Sequence, residues 1–213
     1  MTDIIVNFLK SITDNGALLT LFSSMIPLIE LKGAIPVGIT MGLSLPLSAA
    51  IAYCGSTLVV VPVFFLLIPL FDLLKKIPFV KRFVEKVETM LRSKAESLAK
   101  KSRGNAEATA LKILKWGLFI FVAVPLPVTG VWTGTAIAVF LNIKFRHAVL
   151  PLALGNLVAG SLITALIAII GADNANIVLN VVLILAAVML VVTVVKIAIS
   201  KPDKAKNDDV DKD

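Results

Sequence analysis

The stretch PLIELKGAIP, residues 27–36, decides the fold, because it places two charges and two prolines inside an otherwise apolar segment. The uncharged run before Glu30, residues 16–29, holds 14 residues. That is about 21 Å of helix, too short to cross about 30 Å of hydrocarbon. Such a segment can enter a membrane, turn inside it and leave on the same side. We therefore predict a re-entrant helical hairpin over residues 15–45, with a kinked spanning helix as the alternative.

A second interruption, PLPVTGVWTG at residues 125–134, follows the same plan without any charge. The apolar pieces on either side are each about a dozen residues long, again short of a crossing. Proline removes a backbone donor, and the polar groups that it frees must line protein or a water-filled cavity rather than lipid. We predict a second re-entrant hairpin over residues 113–143, with the two breaks facing one another inside the bundle.

The other apolar segments identify the chain as an all-α integral membrane protein. Of its 213 residues, 58% are hydrophobic and 16% are charged, whereas soluble domains carry about 25% charged residues. Spanning helices are predicted at residues 46–71, 147–171 and 175–199, within one membrane domain over residues 1–200. The tail, residues 201–213, has almost no apolar content and is predicted to be disordered.

Positive charge is concentrated in the middle of the chain and predicts its orientation. Residues 75–115 hold 12 of the 21 Lys and Arg, so this segment is predicted to be cytoplasmic in a multi-pass protein of the cell membrane, as is the C-terminus. Apolar residues at spacings of three and four predict an amphipathic surface helix over residues 77–104. The expected partner of the basic charge is membrane lipid and not nucleic acid.

The order of the segments suggests an internal repeat. Superimposing Pro27 on Pro125 pairs the two breaks and brings Gly55 near Gly155 in the helices that follow. If the central segment is cytoplasmic, the spans at residues 46–71 and 147–171 run in opposite directions. The two halves would then be inverted, which is a plan that secondary transporters share. Two unrelated helical hairpins are the alternative.

The two breaks supply most of the candidate transport and binding residues. An acid inside a membrane usually marks an ion or proton path, although Glu30 and Lys32 could also anchor a helix end at the headgroups. Trp132 could equally belong to an interfacial belt, and Asn156 to a helix-to-helix hydrogen bond. The candidates are Glu30, Lys32, Pro36, Pro125, Pro127, Thr129, Gly130, Trp132, Thr133, Gly134 and Asn156.

Catalysis and bound cofactors are not expected. Cys54 is the single cysteine and His147 the single histidine, and no His-Glu-x-x-His or Gly-x-Ser-x-Gly motif is present. Hydrolysis normally needs a nucleophile with a base, or a metal. We predict no catalytic residue, no metal site and no cofactor.

Together, ELKGAIPVGI at residues 30–39 and VPLPVTGVWTG at residues 124–134 resemble the motifs of the small multidrug export protein family. The resemblance covers about residues 17–170. That family is similar to the DedA superfamily, which implies two facing re-entrant helices and, for some members, movement of lipid carriers across the bilayer. Glu30 matches the acid of the first motif. DedA proteins carry an arginine in the second motif, whereas residues 116–143 contain no basic residue, so a phosphate clamp would need Lys32 or Arg146 instead.

The favoured function is therefore a transporter or exporter of a small molecule or lipid carrier that works through the facing breaks, with Glu30 as a candidate proton or cation site. A non-transporting scaffold, which binds lipid or a partner through its basic amphipathic segment, is the alternative. The substrate is unidentified, and a homo-oligomer is left open.

Overall fold

The computed structural model describes residues 13–74, 76, 89, 106–126 and 129–199, and its regular elements within these ranges are helices, without a strand. The predicted all-α class is confirmed for this part of the chain. The α-helices are α1 (Gly16–Met25), α2 (Glu30–Thr40), α3 (Leu45–Leu58), α4 (Val60–Leu74), α5 (Ala106–Ala123), α6 (Val131–Phe140), α7 (Phe145–Ile170) and α8 (Ala175–Ile199).

Three helical stretches are long and apolar enough to cross a membrane: Leu45–Leu74, Phe145–Ile170 and Ala172–Met189. They overlap the segments predicted to span, and they begin one, two and three residues earlier than predicted. Many large apolar side chains on these stretches are exposed, and Ile169 is 83% exposed. Such an apolar exterior is typical of a surface that faces lipid, because a water-soluble protein rarely exposes large apolar patches.

The first break arises from local backbone chemistry. Asn15 begins α1 by accepting hydrogen bonds from the N–H groups of Ala17 and Leu18. Ile26 has an extended backbone (ψ 132°), as expected for a residue before proline, and ends α1. A side chain on Gly16 would touch Met41, the residue that follows α2. The chain therefore enters and leaves the α1–α2 pair at the same end.

The second break separates α5 from α6. The turns that follow α2 and α6 are closely alike. Gly42 (φ +84°) and Asn142 (φ +54°) both adopt the left-handed backbone, which Gly and Asn tolerate best. The next N–H in each turn bonds back five residues, from Leu43 to the carbonyl of residue 38 and from Ile143 to that of residue 138. Each short helix is thus closed by the same turn.

Helix α2 lies at the centre of the described structure. It packs against α1, α3, α7 and α8, and residues 29–38 are all buried. Helix α6 has a more peripheral position and packs against α4, α5 and α7. The charged residues of α2 are therefore surrounded by protein on every side.

The α3–α4 stretch and α7 run antiparallel. Phe64 on α4 stacks edge-to-face on Phe145 at the start of α7, with ring centroids 5.2 Å apart. Further along, Asn156 on α7 donates hydrogen bonds to Ser56 Oγ (2.6 Å) and Thr57 Oγ1 (3.0 Å) on α3. The start of α3 then lines a cleft with Thr164, near the end of α7.

Some predicted features lie outside the described residues. These are the disordered tail at residues 201–213 and, apart from Thr89, the amphipathic helix at residues 77–104. Helices α5 and α6 cover most of the segment predicted as the second hairpin, residues 113–143. Helix α5 begins at Ala106, seven residues before the predicted start.

Gly155 should be intolerant of any side chain, because its Cα faces the backbone of α5. A Cβ at this position would lie 2.7 Å from the carbonyl oxygen of Phe119 and 2.9 Å from Val122 Cβ. Gly117 on α5 faces open space and is the matched control. We expect Gly155→Ala to lower the free energy of unfolding by about 1–3 kcal/mol, and Gly117→Ala to raise it by up to about 1 kcal/mol. Thermal unfolding in detergent measures both, and equal effects would contradict the packing described.

Candidate functional site

Each break comprises the end of one helix, the connecting residues and the start of the next helix, which gives residues 25–32 for the first break and 124–132 for the second. The two breaks lie against each other and exchange hydrogen bonds. A helix end leaves backbone carbonyls without intrahelical partners, and in an apolar bundle these groups need other donors. Lys32 donates to carbonyls of the second break, and Trp132 donates to a carbonyl of the first. The two breaks thus face one another through hydrogen bonds from the side chains of each break to backbone carbonyls of the other.

Lys32 extends from α2 into the second break. Its Nζ donates to the carbonyl oxygen of Leu126 at 2.6 Å, to the carbonyl oxygen of Thr129, and to Glu30 Oε2 at 3.3 Å. An ammonium group has three donors, so these three acceptors satisfy it. The residue is only 4% exposed. Lys32 therefore supplies a positive charge to a motif that has no basic residue of its own.

Glu30 is 6% exposed and binds the start of α6. Its Oε1 accepts a hydrogen bond from the backbone N–H of Trp132 at 3.2 Å, while Oε2 accepts from Lys32. Free N–H groups at a helix N-terminus stabilise a negative charge, and Trp132 is the second residue of α6. Glu30 also has a left-handed backbone (φ +47°). For a residue other than glycine this costs about 1–3 kcal/mol and persists only where the surroundings enforce it.

Trp132 joins the breaks through its side chain as well as its backbone. The indole Nε1 donates to the carbonyl oxygen of Met25 at 3.0 Å. Met25 is the last residue of α1, so this carbonyl is one that the helix leaves free. A half-buried Trp132 with this bond is part of the contact between the breaks, rather than an isolated belt residue.

Gly130 permits the close approach of Glu30, because a Cβ on Gly130 would overlap the Glu30 carboxylate. The Gly130 N–H donates to Thr133 Oγ1 at 3.2 Å, and Thr129 Oγ1 lies 2.8 Å from the carbonyl oxygens of both Val124 and Leu126. Local hydroxyls therefore hold the second break in shape around the ion pair.

The other candidate residues have different positions. Pro36 is buried within α2, Pro125 lies half-buried in the second break, and a side chain on Gly134 would collide with Leu152 and Val122. Asn156 makes a helix-to-helix hydrogen bond with α3 rather than with either break. Pro127 lies outside the described residues.

A set of buried hydroxyl groups lies beside α2 and was not predicted from the sequence. Thr20, Ser23, Ser24 and Ser48 are fully buried, and Ser23 Oγ and Ser48 Oγ have no hydrogen-bond partner. Gly38 admits two of them, since a Cβ there would lie 2.6 Å from Ser48 Oγ and 2.7 Å from Thr20 Oγ1. The signal was present: Thr20, Ser23 and Ser24 have the i, i+3, i+4 spacing of one helix face.

The fold and this site define a class: a helical membrane protein in which two interrupted segments meet at a buried ion pair. A family model described as "Putative small multi-drug export protein" matches residues 30–163, well over half of the chain. The chain therefore belongs to this family. The match begins at Glu30, so it covers the Glu30–Lys32 pair and the whole second break but not the turn that precedes Glu30. No curated protein and no solved structure matches the chain, and similarity to the DedA superfamily stays a prediction.

The penalties for removing Glu30 and Lys32 should be less than additive, because each single change leaves a buried charge without its counterion. Glu30→Gln leaves the Lys32 ammonium without its counterion, and Lys32→Met leaves the Glu30 carboxylate without its counterion. Each loss costs about 3–5 kcal/mol in a buried pair, whereas apolar or neutral replacements of the whole pair are often tolerated. Each variant lowers the free energy of unfolding. We expect the losses in Glu30→Gln and Lys32→Met to add up to at least about 1 kcal/mol more than the loss in the double variant Glu30→Gln/Lys32→Met.

Chemical or thermal unfolding of the four proteins in one detergent measures this coupling. The matched control is Asp173→Asn, which neutralises an exposed acid in the connection between α7 and α8. Strictly additive penalties would show that the two side chains do not interact in the membrane domain.

Proposed function

We propose that this protein is a membrane transporter or exporter of a small molecule or lipid carrier, and that the substrate passes between the two facing breaks. The observation that carries the proposal is the buried Glu30–Lys32 pair, which belongs to one break and binds the other. The family description, an export protein, favours transport over catalysis.

A purely structural role is a weak explanation for this pair. Moving charges into an apolar bundle is unfavourable, and well-packed hydrophobic residues often stabilise a core as well as a buried ion pair does. Ionisable residues at membrane depth mark ion or substrate pathways for the same reason. The left-handed backbone of Glu30 adds strain at the same place, as is common where a protein binds or switches.

Two observations support the proposal that both interrupted segments are re-entrant. Gly16, at the start of α1, lies against Met41, at the end of the α1–α2 pair. In the other half, Lys115 on α5 and Arg146 on α7 line one cleft. The first observation brings the start and the end of one helix pair to the same side, which is the geometry that a re-entrant hairpin requires. The second brings the middle of α5, rather than its start at Ala106, level with the start of α7.

The proposed inverted repeat has support of the same kind. Similar left-handed turns at Gly42 and Asn142 follow the two short helices, and the α3–α4 stretch runs antiparallel to α7. Inverted repeats that meet at broken helices allow alternating access through rocking of one half against the other. By the positive-inside rule, we place the central basic segment on the cytoplasmic side.

Protonation of Glu30 is the proposed coupling step. A proton on the carboxylate removes the negative charge that faces Lys32 and weakens the bond from Trp132, since charged hydrogen bonds are about twice as strong as neutral ones. The link between the breaks then loosens, and Lys32 becomes available to another anion. Loss of the proton restores the closed contact. One buried acid can in this way couple a proton to the separation of the breaks.

A cleft of about 550 Å³ is the proposed path of approach for the substrate, although neither Glu30 nor Lys32 lines it. It lies between α3 and α7, is almost entirely apolar, and has the hydroxyls of Tyr53, Ser161 and Thr164 along its sides. Leu31 lines it too, and Leu31 stands between Glu30 and Lys32 in the chain. Such a cleft suits a substrate with a large apolar part and few polar groups.

Glu30→Gln should abolish transport while the protein still accumulates and folds. The variant keeps the size of the side chain but removes its charge. We expect flux in liposomes to fall by about tenfold or more, because losing a hydrogen bond to a charged group costs about 1.5–3 kcal/mol. A substrate panel is measured with and without a pH gradient. Asp173→Asn, which changes an exposed acid far along the chain, should leave both the flux and its response to the gradient intact.

Two outcomes would count against the proposal. Wild-type flux in Glu30→Gln would exclude Glu30 from transport. The scaffold alternative is favoured by a different pair of results. The wild-type protein would then move neither a substrate of the panel nor protons in liposomes, and removal of the basic charges at residues 80–103 would abolish its function in cells.

A further inference from the structure

A second, chemically different cleft of about 280 Å³ lies between α5 and the start of α7. One end is basic, with Lys115 from α5 and Arg146 and His147 from α7. The other end is apolar and is formed by Trp116, Phe119 and Leu150, among others. Neither break contributes a residue to this cleft, so its function is separate from that of the Glu30–Lys32 pair.

The basic end concentrates positive potential. Lys115, Lys144 and Arg146 all act on the His147 ring as positive charges. No acidic residue is among the side chains that line this cleft in the part of the chain that the structure describes. Lys112, one turn before Lys115, is exposed and does not line the cleft. The charges at the cleft are therefore gathered from two helices rather than from one basic stretch of α5.

The apolar end opens outward. Trp116 is 56% exposed and Leu150 62% exposed, and the Trp116 ring packs edge-to-face on Phe119 with centroids 5.6 Å apart. Trp side chains favour the level of the lipid headgroups, where one end of the ring is apolar and the other meets water. Lys115 and Arg146 line the same cleft as this tryptophan, so a phosphate group at the level of its ring would lie near both charges.

We propose that this cleft binds a membrane phospholipid with an anionic headgroup, whose phosphate contacts Lys115, Arg146 and His147 and whose acyl chain lies along Trp116 and Leu150. Basic pockets between transmembrane helices are suited to anionic headgroups. A free phosphate would use only the basic end and leave the exposed apolar wall uncovered. A zwitterionic lipid would bring its own cation toward three positive side chains. An anionic amphiphile satisfies both ends of the cleft.

Native mass spectrometry of the full-length protein, titrated with phosphatidylglycerol or with phosphatidylcholine of the same acyl chains, tests this site. The variant Lys115→Gln/Arg146→Gln removes two charges from the cleft. The matched control, Lys76→Gln/Lys112→Gln, removes two exposed charges outside it. We expect the cleft variant to bind phosphatidylglycerol about 30-fold more weakly, at about fivefold per charge. The control should bind as the wild type does.

The headgroup alone should not replace the lipid. Free glycerol phosphate is therefore added as a competitor, and we expect it to leave the bound phosphatidylglycerol in place. Trp116→Ala provides a second variant that keeps every charge and should also weaken lipid binding. Equal losses of phosphatidylglycerol binding in the cleft variant and in the control would reveal a diffuse charge effect. Complete displacement of the lipid by glycerol phosphate would reveal a site for a soluble anion. Binding of phosphatidylcholine as tight as that of phosphatidylglycerol would exclude a role for the headgroup charge. Each of these results overturns the proposal.

Discussion

The described structure depends on one constraint: the carbonyl groups freed by two interrupted helices must find donors inside an apolar bundle. Each break supplies donors to the other, in addition to the bonds that Thr129 makes within the second break. Lys32, from the first break, binds carbonyls at Leu126 and Thr129, and Trp132, from the second, binds the carbonyl of Met25. Because an unsatisfied polar group is costly away from water, neither break is a stable arrangement without its counterpart. The Glu30 carboxylate completes the contact by neutralising Lys32 and binding the start of α6.

This mutual dependence explains why the surrounding elements have their positions. Helix α2 must lie at the centre so that Glu30 and Lys32 reach the second break, and its burial on every side follows. Gly130 must lack a side chain because the carboxylate occupies that space. The antiparallel packing of the α3–α4 stretch on α7, with the Asn156 bridge, then brings the two halves together around the contact. In the proposed transport cycle, one proton on Glu30 weakens its bonds to Lys32 and to the Trp132 N–H.

Much of this could be predicted from residue types and their order. Uncharged runs indicated the three long apolar helices, and prolines with short flanking runs indicated both breaks. Residues two positions apart diverge on a regular helix, yet the charged atoms of Glu30 and Lys32, both in α2, lie 3.3 Å apart at a residue with a left-handed backbone. The partners of Lys32 could not be predicted, because backbone carbonyls have no sequence signature and depend on which loops meet in space. The hydrogen bond from the Trp132 indole to the Met25 carbonyl could not be predicted for the same reason. Gly42 lies 15 residues after Pro27, whereas Asn142 lies 17 residues after Pro125, so superimposing the two prolines did not pair these turns.

The central claim, that Lys32 lies within the second break rather than at the headgroups, is tested most directly by magic-angle-spinning NMR of the protein in lipid bilayers. Lysine Nζ is labelled with ¹⁵N and leucine carbonyls with ¹³C. We expect a dipolar coupling between Lys32 Nζ and the Leu126 carbonyl, whose oxygen accepts a hydrogen bond from this nitrogen at 2.6 Å. That coupling should disappear in Leu126→Ile, which retains the backbone but carries no label. Absence of the coupling in the wild-type protein, with a Lys32 ammonium that exchanges freely with water, would contradict the account.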